Sequence, residues 1–118
     1  MSISGPDAFT DGLTQHGMTW QVIDGVVCFQ VLAGTGPLAG ILVDTGVAVT
    51  ELQQWPMVPP HWAHLPADIS ISPTNASSTE TRTGWLRHSR GIRHWGSEAD
   101  PISAWLAHVR SVLAGAQP

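Results

Sequence analysis

The stretch Gln53–Pro66, "QQWPMVPPHWAHLP", carries four prolines and two tryptophans between segments that read as β-strands. Proline lacks a backbone donor and cannot lie inside a ladder, so this run must leave the sheet. Proline also fixes φ, which makes the corner stiff at little cost in folding entropy. Trp55 and Trp62 are too large and apolar for an ordinary solvated loop, which predicts that they pin the corner to the sheet edge.

Working outward, "MTWQVI" and "VVCFQVLA" are rich in β-branched and aromatic residues and are separated by Asp24–Gly25. Asp-Gly suits the φ > 0 positions of a type I′ hairpin turn. "ILVDTGVAVTEL" predicts a third strand that Gly46 bends or bulges. "HWAHLPADISIS" predicts an extended segment interrupted at Pro66. Residues 72–97 show no periodicity, and a long irregular segment in a compact domain is commonly functional. Asp100 suits an N-cap and Pro101 a first helical position. Ile102, Trp105, Leu106, Val109 and Leu113 then recur at helical spacing, with Gly115 as the stop. The predicted fold class is α+β: an antiparallel four-stranded meander over residues 18–72 with the C-terminal helix packed on it. Residues 1–17 form a flexible or partly helical segment, with one short turn of helix around Asp7–Leu13, and 18–118 form a single domain.

The chain has 118 residues, 42% hydrophobic and 12% charged, which is a globular composition. No apolar run approaches a bilayer span and the N-terminus has no signal-peptide pattern, so a cytoplasmic, membrane-free protein is expected. The single cysteine, Cys28, excludes an internal disulfide and fits a reducing compartment. The five basic residues are all arginines. Codon usage explains the missing lysines, as does avoidance of amine nucleophiles near activated acyl groups. Arg82, Arg87, Arg90 and Arg93 cluster with His88 and His94. A net charge of −4 argues against nucleic acid, while the arginine cluster suits a carboxylate or phosphate.

Several stretches resemble the ubiquitin-conjugating enzyme family. "PLAG" (Pro37–Gly40) stands where that family has a Tyr-x-Gly-Gly turn, and "WPMVPP" (Trp55–Pro60) resembles its Tyr-Pro-x-x-Pro-Pro element. "SPTN" (Ser72–Asn75) is similar to its His-Pro-Asn, with Thr74 inserted. "HWGSEADP" (His94–Pro101) is similar to its Trp-x-Pro region, and "GWLRHSRGIRHW" resembles short bacterial relatives encoded with ubiquitin-like proteins and activating enzymes. The resemblance covers roughly residues 18–114. It implies a UBC-like fold, no cofactor, and two partners: a ubiquitin-like protein and its activating enzyme. It also implies transferase activity at a cysteine, but the corresponding "TGWLRHSR" has none. Cys28 lies far upstream, flanked by Val27 and Phe29, and reads as core.

The remaining nucleophile is Ser89. His88 beside it is a candidate base, although neighbours on a strand point to opposite faces and the pair needs a turn. By the resemblance Asn75 supplies an amide donor, and Arg87 and Arg90 bind the partner's carboxyl end, with Trp85 and Trp95 holding the loop. The alternative is a cysteine-less binding module of the same shape. A small metal-binding enzyme is a further alternative, but His61 and His64 fall on opposite faces of an extended segment and no Cys-x-x-Cys or His-Glu-x-x-His pattern supports them, so no metal is assigned.

Overall fold

The computed structural model describes residues 3–71, 75–92, 95–96 and 100–117. The fold is α+β. The chain begins with helix α1 (Pro6–Gln15), then strands β1 (Gln21–Ile23), β2 (Val26–Leu32) and β3 (Leu42–Ala48), and a 3₁₀ turn at Val49–Leu52. Strands β4 (Trp62–Pro66), β5 (Ser70–Ile71), β6 (Ala76–Ser77) and β7 (Trp85–Ser89) follow, then helix α2 (Pro101–Leu113) and strand β8 (Ala116–Gln117).

The main sheet has six strands in the order β1-β2-β3-β4-β7-β6, and every pairing in it is antiparallel. The sequence predicted four. The additional pair comes from the segment expected to be irregular, where β7 pairs with β4 over five residues, from Trp62↔Ser89 to Pro66↔Trp85. Its alternation was hard to read because neither side of β7 is plainly apolar: Leu86 and His88 face the helices, while Trp85, Arg87 and Ser89 face away. The last extended residues of the chain are separate, since β5 pairs with β8 in a two-stranded ladder.

The predicted hairpin is present, with Asp24 at φ 53° and Gly25 at φ 75°. Gly46 makes no bulge, because β2 and β3 keep one-to-one register through Cys28↔Gly46. Its glycine is explained by crowding instead: a Cβ there would stand 2.5 Å from Val26 Cγ1 and 3.2 Å from the Val27 carbonyl oxygen.

Both helices cover the same side of the sheet. From α2, Ile102, Trp105, Leu106, Val109, Val112 and Leu113 are buried against Val27, Phe29, Val31, Val43, Val47 and Leu65. Asp100 caps α2 as predicted: its carboxylate accepts from Ile102 N at 3.1 Å and from Ser103 Oγ at 3.0 Å, and meets His16 Nε2 at 2.7 Å. The helix at the N-terminus is longer than the short turn predicted. Pro6 starts it, and Phe9 and Leu13, four residues apart, are fully buried, so this segment belongs to the core rather than preceding it.

The proline corner is pinned from two sides. Trp55, buried and followed by a cis bond to Pro56, meets Phe9 edge-on at 4.9 Å and Trp95 at 5.4 Å. Gly5 N donates to the Trp55 carbonyl at 2.8 Å, and Trp95 Nε1 donates to the Pro56 carbonyl at 2.7 Å. Trp62 does not join this cluster. It lies on the opposite side of the sheet, with the Arg87 guanidinium 4.2 Å above its ring.

That opposite side is partly roofed by residues 78–84. Thr81 Oγ1 meets His64 Nδ1 at 2.8 Å, Arg82 lies 4.6 Å over the Trp85 ring, and Glu80 pairs with Arg87 at 3.0 Å. Among the described residues, no helix is long and apolar enough to cross a membrane.

Candidate functional site

The end of the sheet where β4 begins and β7 finishes brings together a serine and a histidine from distant sequence. Antiparallel pairing sets Ser89 opposite Trp62, and His61, in the bend just before β4, reaches the Ser89 hydroxyl. His61 Nε2 and Ser89 Oγ are hydrogen-bonded. The backbone fixes both: Arg90 N donates to the His61 carbonyl at 3.1 Å, and Ser89 N donates to the Asn75 carbonyl at 2.8 Å. Glu51, at the end of the 3₁₀ turn, accepts from His61 N at 3.0 Å, and the His61 ring stands edge-on to Trp62 at 5.4 Å. With its proton on Nδ1, His61 accepts from the serine hydroxyl through Nε2, the arrangement of a base beside a nucleophile. Among the described residues nothing is hydrogen-bonded to Nδ1, so no third group orients the ring.

His88 is not the partner of Ser89. In a regular strand the two point to opposite sides, and His88 is 1% exposed on the helix side, across from Ala63. Burial, then the charge of neighbouring His64, hold its imidazole below the ordinary range. Asn75 is exposed and contributes its backbone carbonyl to the site. Arg90 is half-buried beside Ser89. Arg87 is committed to Trp62 and Glu80 rather than to solvent. Trp85 and Trp95 are packing residues, one beneath Arg82 and the other against Trp55. Arg93, His94 and residues 72–74, with most of "SPTN", lie outside the described residues.

His64, though three residues from His61, has a different environment. It is fully buried, with Nε2 3.9 Å from Glu51 Oε2, longer than a hydrogen bond. Glu51 thus lies between the two histidines. No group of three or more His, Cys, Asp or Glu among the described residues is arranged to hold a metal. Cys28 is 9% exposed on β2, separated from β7 by β3 and β4. Burial pushes its thiol pKa up, an effect that the nearby Arg82 only partly offsets.

His61 and Glu51 were missed as companions of Ser89 because the contact depends on β4–β7 register. No sequence signal pointed to the pair, since the segment that holds Ser89 showed no periodicity of its own. Comparison with protein-family models, curated proteins and solved structures finds no match.

Proposed function

We propose that this chain is a ubiquitin-conjugating-like protein that receives the C-terminal tail of a ubiquitin-like protein from an activating enzyme, at the end of β4 and β7. The order of elements supports the reading: a helix, an antiparallel meander, the proline corner, a fourth strand and an Asp-Pro-capped helix. The single observation that carries the site is the His61–Ser89 hydrogen bond at an open strand end beside Arg90.

In the transfer, Ser89 Oγ attacks the carbonyl carbon of the tail's thioester while His61 Nε2 takes the hydroxyl proton. The carbon–sulfur bond breaks, the activating enzyme's thiolate leaves, and the tail is held on Ser89 as an ester. A second reading, binding and orienting without transfer, is favoured by the absence of a group on His61 Nδ1 among the described residues and by the buried, high-pKa Cys28.

The test incubates the protein with the cognate ubiquitin-like protein, activating enzyme and ATP. Transfer predicts an adduct stable to thiols and cleaved by alkali, absent in Ser89→Ala and strongly reduced in His61→Ala. Orienting alone predicts no adduct but amide shifts around Ser89 and Arg90 on titration of the ubiquitin-like protein. Neither adduct nor shifts would overturn the proposal.

A further inference from the structure

The sheet side away from the helices holds a second feature, remote from Ser89 and independent of the function proposed above. A cavity of about 490 Å³ opens over β1, β2 and β3, lined by Trp20, Gln21, Cys28, Gln30, Asp44 and Arg82 among others. That volume lies within the range of small-ligand sites, roughly 300–1,000 Å³. Its floor includes Gln21 and Cys28, which are cross-strand partners on β1 and β2.

Two opposite charges line this cavity, and neither is neutralised by an ion-pair partner among the described residues. Arg82 reaches in from the 78–84 roof, its Nη1 3.6 Å from Cys28 Sγ. A thiol is a weak acceptor for a guanidinium, and Arg82 forms no ion pair among the described residues. The Arg82 guanidinium carbon stands 4.6 Å over the Trp85 ring, which leaves donors other than Nη1 for a ligand. Asp44 accepts only from the neutral Gln30 amide, at 3.2 Å, and likewise has no cation partner among the described residues. Arg82 and Asp44 share the cavity without pairing to each other, so the space between them suits a ligand with both charges. Trp20, 40% exposed and tethered through Nε1 to Thr14 Oγ1 at 3.0 Å, adds an apolar wall.

We propose that this cavity binds a small zwitterion of dipeptide size, its carboxylate on Arg82 and its ammonium on Asp44. A bidentate guanidinium–carboxylate pair is the strongest contact available there, and Asp44 selects against a simple anion.

Cys28 reports on the site. Its alkylation is followed with iodoacetate, which carries a carboxylate, and with neutral iodoacetamide, and the ratio of the two rates is taken. Changes in thiol pKa or exposure alter both rates alike, so the ratio isolates carboxylate recognition. The native ratio is expected to exceed that of the urea-unfolded chain by roughly two- to fivefold, the strength of a part-exposed ion pair. Glycylglycine at roughly 50 mM, enough to fill a millimolar site, slows the iodoacetate reaction more than acetate does. Arg82→Gln, with folding checked by circular dichroism, returns the ratio to the unfolded value. Asp44→Asn raises the ratio, because the carboxylate that disfavours a simple anion is gone, and removes the advantage of glycylglycine over acetate. Equal native and unfolded ratios without glycylglycine protection would overturn the site. Equal protection by acetate and glycylglycine would overturn the zwitterion assignment.

Discussion

His108 makes the stability of this protein pH-dependent in a direction that the structure specifies. It lies half-buried on α2, and burial, followed by the Arg90 charge, lowers its pKa from 6.5 to about 4, against a smaller opposing hydrogen bond to the Arg90 backbone. A histidine depressed in the folded state takes up its proton preferentially in the unfolded chain. Its contribution is therefore complete above about pH 6.5 and is lost as pH falls toward about 4. A displacement of about 2.5 pH units sets a ceiling of about 3.4 kcal/mol at 1.36 kcal/mol each. Partial exposure screens this, and roughly 1–2 kcal/mol is expected. The assay is urea unfolding of the wild type and His108→Gln at pH 7.5 and 4.5, read as midpoints. Carboxylates and His88 titrate in both proteins and cancel in the difference. The variant should lose about 1–2 kcal/mol less on acidification, a midpoint difference of roughly 0.5–1 M for a domain of this size. Equal losses in the two proteins would refute the assignment of His108 as a neutral, buried imidazole.

Trp105 is fully buried between α2 and the sheet, so Trp105→Ala should cost about 3–5 kcal/mol and lower Tm by roughly 10–20 °C in calorimetry. Trp105→Phe should cost far less than the alanine change, because the indole Nε1 has no hydrogen-bond partner among the described residues and its removal leaves no polar group unpaired. Gly36 has φ +84°, and a Cβ there would run into the Ala114 backbone after α2. Gly36→Ala should therefore destabilise by more than about 1 kcal/mol in denaturant titration, where an unstrained Gly→Ala would stabilise. Cys28 should react slowly with a neutral disulfide reagent in the native protein and rapidly in urea, and Cys28→Ala should remain folded with its transfer or binding activity intact. Fast native modification would contradict its burial.

Much of the architecture was determined locally and so was legible in the sequence. The Asp24–Gly25 turn, the capped helix from Pro101 and the departure of the chain from the sheet at Trp55–Pro60 follow from backbone chemistry: positive φ, a capping carboxylate and missing N–H groups. The first helix was underestimated because its stabilising residues, Phe9 and Leu13, gain their energy from packing against partners far along the chain. β7 was unreadable for the same reason. "WLRHS" becomes a strand through pairing with β4 and through the roof of Thr81 and Arg82, not through a pattern of its own. The candidate site shows the limit most directly. Sequence adjacency suggested His88 for Ser89, but the alternation of a strand sends neighbours to opposite sides, and the register between β4 and β7 supplies His61 instead. Residue types and local turns are properties of the sequence; which imidazole meets which hydroxyl depends on non-local pairing, and only the tertiary structure decides it.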